Sequence, residues 1–160
     1  SWPYDYAEIG KSADYVQVMT YDEHGIWSEP GSVAGMNWVK SSLAYAVKTI
    51  KAEKVIMGIP SYGNDWDLTS RKNSKLKQWN DVKALKKKVK AKPVYDKRSG
   101  SMRFSYTDQH KHRHVVWYED EKTIAAKSRL AMRYKIAGVS VYSMGHESAS
   151  FWQAVRKGIK

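Results

Sequence analysis

Three short apolar stretches of the sequence each end in side chains that can hydrogen-bond, stack on a ligand or exchange protons. The polar ends are Tyr21-Asp22-Glu23 after residues 14–20, Ser61-Tyr62-Gly63 after residues 54–60, and Tyr142-Ser143 at the end of residues 137–143. Tyrosine rings stack on the apolar face of a sugar, and carboxylates accept hydrogen bonds from its hydroxyl and amide groups. Neither of the glycine-rich phosphate-binding patterns, GxGxxG and GxxxxGK[ST], occurs in the sequence. The residue types therefore favour a carbohydrate ligand over a phosphate.

The same three stretches are rich in β-branched residues, which predicts strands buried on both faces. Between the first two, residues 37–53 place apolar side chains at helical spacing, with Asn37 as the predicted N-cap. A strand, a helix and a strand in this order form a βαβ unit, whose strands run parallel. Because the carboxyl ends of parallel strands lie at one edge of a sheet, we expect the three polar ends to converge.

The middle of the chain has a different pattern. A lysine-rich helix is predicted over residues 79–90, and alternating segments up to residue 120 predict an antiparallel meander. Further helices are predicted over residues 119–135 and 148–159, on either side of the third strand. We therefore predict an α/β segment made of residues 1–64 and 121–160, with residues 65–120 as a small α+β insertion.

Composition limits the other classes of function. The chain has no cysteine, which excludes disulfides and thiolate metal sites, and no apolar run near the roughly 20 residues of a membrane span. It does not begin with Met, and its first residues lack the features of a signal peptide, so we interpret it as a processed or excised product.

Positive charge is concentrated in the middle of the chain. The formal net charge is +12, and residues 71–113 contain fifteen Lys or Arg against three acidic residues. Such a block is typical of a surface that binds a polyanion, but also of a solvated helix face. His110, His112 and His114 alternate there, and we predict exposed turn residues beside Lys111 and Arg113 rather than metal ligands, since the positive charges oppose a cation.

Four motifs in the same order resemble a known family. MTYD (residues 19–22), MGIPSYGNDW (57–66), VVWYED (115–120) and AGVSVYSMG (137–145) are similar to the second half of a glycoside hydrolase family 18 catalytic domain. The bacterial branch that acts on spore cortex and peptidoglycan is the most similar, and the resemblance covers almost the whole chain. It implies the C-terminal part of a TIM (β/α)8 barrel, strands six to eight, with the insertion between the last two.

The resemblance also implies roles for single residues. Catalysis in this family is substrate-assisted: the 2-acetamido group of the sugar attacks its own anomeric carbon while a glutamic acid protonates the leaving oxygen. Tyr21 would then hydrogen-bond the acetamido group, and Asp22 would bind the sugar, or polarise its surroundings, at the same subsite. Substrate contacts are implied for Met19, Glu23, Tyr62, Trp66 and Tyr142, the last in place of the tryptophan usual in the family. No cofactor and no metal are implied.

The acid of the family lies in a D-x-x-D-x-D-x-E run, which these 160 residues do not contain. We therefore predict that the chain alone is inactive and is the C-terminal half of a larger glycosidase. Its implied partner is an N-acetylhexosamine polymer such as peptidoglycan or chitin, in a cell wall, a spore or outside the cell. Neither a nucleic acid nor a membrane is expected. The rest of the barrel would come from another chain or from self-association, unless the fragment folds around its insertion.

Two other functions remain open at this point. A family 18 scaffold that has lost its acid would be a carbohydrate-binding, lectin-like module. The basic block alone would suit a nucleic-acid-binding module, whose affinity would fall steeply with salt.

Overall fold

The computed structural model describes residues 4–160, so residues 1–3 of the first predicted segment lie outside the described residues. The α-helices are α1 (Tyr6–Ser12), α2 (Met36–Thr49), α3 (Trp79–Lys88), α4 (Glu121–Arg133) and α5 (Ala149–Gly158). The strands are β1 (Val16–Val18), β2 (Val55–Pro60), β3 (Tyr62–Asp67), β4 (Lys75–Gln78), β5 (Val94–Asp96), β6 (Ser101–Thr107), β7 (Arg113–Tyr118) and β8 (Gly138–Tyr142). A 3-10 turn, Ala52–Lys54, leads into β2.

The first sheet contains the three predicted strands in the order β1-β2-β8, and both pairs are parallel. The register places Val18 beside Met57 and Met57 beside Val139. Helix α2 connects β1 to β2, which completes the predicted βαβ unit. The architecture is therefore α/β, with the carboxyl ends of the strands at one edge.

The N-cap of α2 differs from the prediction. Gly35, not Asn37, occupies this position in extended backbone geometry. Its N–H donates to Oε2 of Glu23, 2.6 Å away, so the preceding loop supplies the capping carboxylate. A cap contributed from twelve residues upstream has no local sequence signal, which explains the error.

The second sheet is antiparallel, with strand order β4-β3-β7-β6-β5. Its last three strands form the predicted meander. Strand β3 was not predicted, because its sequence YGNDWD is polar, yet all six residues are buried. Tyr62 is thus the first residue in the sequence that belongs to the second sheet. The predicted boundary of the insertion at residue 65 falls inside β3.

Each sheet has its own apolar core. In the core of the first sheet, buried strand residues such as Met57 pack against Leu43 of α2, Ile124 of α4 and Phe151 of α5. A smaller cluster, Val82, Phe104, Val116 and Tyr118, lies between α3 and the second sheet. No helix within residues 4–160 combines the length and apolar character needed to cross a membrane.

We predict a loss of stability at alkaline pH that depends on Tyr118, which is 5% exposed. Burial, with smaller contributions from Asp120 and Glu121, raises the pKa of Tyr118 to about 12. The folded state therefore favours the neutral phenol, and the stabilisation is complete below the unfolded pKa of about 10 and is lost as the pH rises toward 12. Urea unfolding at pH 9 and pH 11 should show a loss about 1 kcal/mol larger for the wild type than for Tyr118→Phe. Tyr15→Phe, at a residue 64% exposed, should behave as the wild type; equal losses in all three proteins would contradict the prediction.

Candidate active site

Three tyrosines, Tyr21, Tyr62 and Tyr142, meet beyond the carboxyl ends of the first sheet, and we call them the tyrosine cluster. The rings of Tyr21 and Tyr142 stack, with centroids 5.4 Å apart and planes 16° from parallel. Tyr62 meets Tyr142 edge-on, with centroids 6.2 Å apart. The hydroxyl of Tyr62 donates a hydrogen bond to Oδ1 of Asp22. The structure thus brings together four of the residues singled out in the sequence.

Hydrogen bonds to backbone carbonyls join the strand ends beside this cluster. The hydroxyl of Thr20 donates to the carbonyl of Gly58 at 2.6 Å. On the other side, Ser61 donates through its N–H to Tyr142 O at 2.9 Å and through its hydroxyl to Ser143 O at 2.6 Å. Asp22 itself has a φ of 66°, a left-handed conformation that aspartate tolerates better than most residues. The turn of the chain at Asp22 is what directs its carboxylate toward Tyr62.

The cluster presents one ring and one carboxylate to solvent. Tyr142 is 52% exposed, whereas Tyr21 and Tyr62 are 8% and 4% exposed, and Asp22 is exposed. Burial raises the pKa of Tyr21, partly offset by a hydrogen bond with Gln17. Burial, followed by the hydrogen bond to Asp22, raises the pKa of Tyr62 well above its usual range. Both buried phenols therefore remain protonated and able to donate.

The other predicted contact residues have different surroundings. Met19 is 67% exposed and lines an apolar groove with Gln17 and Trp38. Glu23 accepts a hydrogen bond from the N–H of Gly35 at the N-terminus of α2. Trp66 was expected to line a cleft, but it is 3% exposed and donates its Nε1–H to the carbonyls of Gly25 and Ser28. That burial leaves no ring face for a sugar, so the expectation for Trp66 is wrong.

The alternating histidines also differ from the prediction, because His114 is buried rather than exposed in a turn. Its Nδ1 lies 2.8 Å from Oδ1 of Asp65, and the hydroxyl of Tyr106 donates to the second oxygen of that carboxylate at 2.7 Å. His112 pairs with Asp67 at 2.8 Å. Burial alone would raise the pKa of Asp67, but hydrogen bonds from Ser70, His112 and Thr69 hold the pKa well below its usual range. Only the pairing of β3 with β7 brings these groups together, and β3 had no strand signal.

No group of three or more His, Cys, Asp or Glu side chains in the described part of the chain is arranged to hold a metal ion.

We predict that Gly58→Ala disturbs the tyrosine cluster. A Cβ at Gly58 would lie 2.6 Å from Cε1 of Tyr21 and 2.9 Å from the carbonyl oxygen of Val18, so the ring or the strand must move. Overpacking of this kind costs about 1–3 kcal/mol. The near-UV circular dichroism of the stacked tyrosines should weaken together with the stability in urea. Gly138→Ala on β8 is the matched control, because its Cβ meets nothing within 4 Å; an equal effect of the two variants would refute the steric explanation.

Known proteins are similar to this chain in sequence and fold. A chitinase from Chromobacterium violaceum superposes with a TM-score of 0.93 at 38% identity over 98% of this chain and 49% of that chain. An uncharacterized glycosylase, YvbX, of Bacillus subtilis (strain 168) is 68% identical over 100% of this chain and 46% of its own length. A cortical fragment-lytic enzyme of Bacillus anthracis is 30% identical over 94% of this chain and 36% of its own length.

The chain thus spans less than half the length of each of these proteins. Residues 1–147 match the family described as glycosyl hydrolases family 18. On this match, which covers far more than half of the sequence, the chain belongs to glycosyl hydrolase family 18.

Proposed function

We propose that the chain is the C-terminal part of a glycosidase that hydrolyses an N-acetylglucosamine-containing glycan by substrate-assisted, retaining catalysis. The observation that carries the proposal is the convergence of Tyr21, Asp22, Tyr62 and Tyr142 at the carboxyl ends of three parallel strands. In parallel α/β barrels this is the edge at which substrates bind. A half-exposed ring beside a carboxylate suits a sugar, which offers an apolar face and polar substituents.

In this proposal β1, β2 and β8 are the sixth, seventh and eighth strands of a (β/α)8 barrel. The second sheet, with α3, is then an insertion between the last two. Within residues 4–160, β1 and β8 each have a strand partner on one side only. Parallel sheets are normally continued and covered on both faces, and the apolar groove beside β1, lined by Val16, Val18 and Trp38, suits a preceding strand. These open edges favour a larger barrel over an isolated fragment.

The roles of the residues follow from their surroundings. Tyr21, a protonated donor, would bind the acetamido group and hold its carbonyl oxygen in line with the anomeric carbon. Asp22, exposed and fixed by Tyr62, would accept a hydrogen bond from the acetamido N–H and stabilise the positive charge that develops there. Tyr142 would stack under the sugar ring. The proton for the leaving oxygen would come from a glutamic acid in a preceding part of the barrel.

The test is an assay of a longer protein that contains this chain and the preceding barrel strands. We expect it to cleave oligomers of N-acetylglucosamine with retention at the anomeric carbon and to leave the deacetylated oligomers intact, because the nucleophile is the acetamido group. The 160-residue chain alone should cleave neither. Equal rates on acetylated and deacetylated oligomers, or no cleavage by the longer protein, would refute the proposal.

A second candidate function is a carbohydrate-binding module. It is favoured by one observation: the chain presents Tyr142 and Asp22 to solvent, yet its sequence lacks the acid motif. If the preceding region has no glutamate at the end of that motif, and the longer protein binds the oligomers without cleaving them, this function replaces the first.

A further inference from the structure

A basic groove of about 1060 Å³ lies on the second sheet. It lies between the C-terminal end of α3, with the segment that follows it, and strand β6. We call it the lysine groove, after the cationic side chains that line it: Lys75, Lys88, Lys90, Lys92 and Arg103. The four lysines are exposed, and together with Arg103 they come from three separate parts of the chain, β4, residues 88–92 and β6, so the groove is more than one face of a helix.

The lysines of this groove are not neutralised by the protein. Within residues 4–160, none of the four lysines has a carboxylate oxygen within 4.0 Å, whereas Lys83 and Lys127 are both paired with glutamates. The one acidic residue in the lining, Asp108, already accepts hydrogen bonds from the N–H groups of His110 and His112. Cations gathered in a concave surface without counter-charges attract a polyanion.

Lys90 occupies a backbone position that favours glycine. Its φ is 49°, and it follows α3 as the left-handed residue of a Schellman motif, with hydrogen bonds from Lys90 N to Lys87 O and from Ala91 N to Lys86 O. A lysine at this position costs stability relative to glycine. Helix-dipole complementarity can account for Lys86 to Lys88 in the last turn, but it does not account for Lys90, Lys92 or Lys75.

Between its charges the groove is aliphatic. Leu85, Val89, Ala91 and Val94 line it, and Val94 is 49% exposed. Little aromatic surface is available for stacking: Phe104 is 2% exposed, and Tyr106 is half-buried, with one face of its ring stacked on His114 at 4.7 Å. Only His110 adds an exposed ring to the lining. Single-stranded nucleic acids are held largely by bases stacked on exposed aromatic rings. The lining therefore suits a polyanion that has short aliphatic units instead of bases.

We propose that the lysine groove binds a polymer of aliphatic alcohol units joined by phosphodiesters. Ammonium groups bind phosphate oxygens as point charges, without the bidentate geometry in which arginine binds carboxylates and phosphates. The phosphates would lie on Lys75, Lys88, Lys90 and Lys92, and the methylene groups on Ala91 and Val94. This site is separate from the tyrosine cluster and does not depend on the glycosidase proposal.

The test is a binding titration of the 160-residue chain with poly(glycerol phosphate) at several salt concentrations. The triple variant Lys88→Gln/Lys90→Gln/Lys92→Gln should lower the slope of log affinity against log salt by about 2, and the affinity about 50-fold near 0.15 M salt, if each contact releases about 0.7 counterion. The matched control is Lys48→Gln/Lys51→Gln/Lys135→Gln, which removes the same charge from exposed lysines outside the groove. The control should keep the slope of the wild type.

A single pair of variants separates charge from backbone effects. Lys90→Gly should keep or raise the melting temperature while it weakens binding about fourfold at 0.15 M salt. Lys135→Gly removes the same charge at the same left-handed position after α4, with φ 53°, and should leave binding unchanged.

Three outcomes would overturn the proposal: no binding of poly(glycerol phosphate), equal losses in the groove and control variants, or tighter binding of single-stranded DNA of equal charge through the same lysines. The last would identify the groove as a nucleic-acid site.

Discussion

Replacing Lys127 by methionine is expected to destabilise the chain by about 3–5 kcal/mol, because the change leaves the carboxylate of Glu119 buried without its counter-charge. Both side chains are almost fully buried, at 3% and 4% exposure, and Lys127 Nζ contacts Oε1 of Glu119 directly. Since a domain of this kind is stable by only about 5–15 kcal/mol, the variant should unfold near ambient temperature or at low urea concentration. Urea unfolding followed by far-UV circular dichroism measures the loss.

The double variant Glu119→Leu/Lys127→Met makes this prediction specific. Oε2 of Glu119 has no hydrogen-bond partner among the described residues, so the pair does not recover its full cost of desolvation. Replacement of such a pair by apolar residues of similar volume is often neutral or stabilising. We therefore expect the double variant to be far more stable than Lys127→Met. A double variant as unstable as the single one would show that the ion pair itself, and not the stranded charge, holds the fold.

The ion pair of Lys127 and Glu119 is also connected by hydrogen bonds to parts of the chain outside α4. Ser101 of β6 contacts both partners, and its hydroxyl is 2.6 Å from that of Ser32 in the loop that follows Asp22 and Glu23. One buried network thus connects α4, the second sheet and the loop of the tyrosine cluster. Partial unfolding of Lys127→Met should reach the stacked tyrosines, which near-UV circular dichroism would report.

The second large effect is expected on catalysis. In a longer protein with the complete barrel, Tyr21→Phe should lower kcat at least 10²-fold, since the hydroxyl that would hold the acetamido oxygen in line is removed and small misplacements of a reacting group have costs of this size. The phenyl ring can still stack on Tyr142, so stability should change little. Steady-state kinetics with N-acetylglucosamine oligomers give kcat and KM separately.

A matched control for this variant is Tyr134→Phe. It removes a phenolic hydroxyl that donates to Lys40 O at 3.2 Å, with no contact to the tyrosine cluster. Its kcat should equal that of the wild type. If Tyr21→Phe changed only KM, the hydroxyl would contribute binding that is equal in the ground and transition states, and the positioning role would be wrong.

The features predicted from the sequence are those with a strong local signal. The three parallel strands are short apolar runs, and the meander over β5, β6 and β7 has turns rich in polar residues and glycine. The convergence of Tyr21, Tyr62 and Tyr142 followed from the parallel strands alone. The pattern of apolar residues, the composition of the turns and the parallel direction of the strands were sufficient to predict these features.

The features that were missed depend on contacts distant in sequence. Strand β3 is polar because its carboxylates pair with His112, just before β7, and with His114 in β7, which are 45 and 49 residues away in sequence. No local pattern indicates these pairings. The capping of Gly35 by Glu23 is likewise a tertiary contact. Trp66 resembled a ligand residue by type, but its indole packs beneath the loop that contains Gly25 and Ser28. A residue's type and neighbours in sequence do not determine which face of a fold it will occupy.

Tyr62 is the first residue of β3 in the second sheet, yet its hydroxyl donates a hydrogen bond to Asp22, which lies beyond the carboxyl ends of the first sheet. The shape of the proposed sugar site is therefore set jointly by two sheets that have different cores. On the proposed function, transplanting the second sheet from a relative would alter selectivity even with every residue of the first sheet retained. Engineering of this enzyme class should treat the two sheets as one inherited unit.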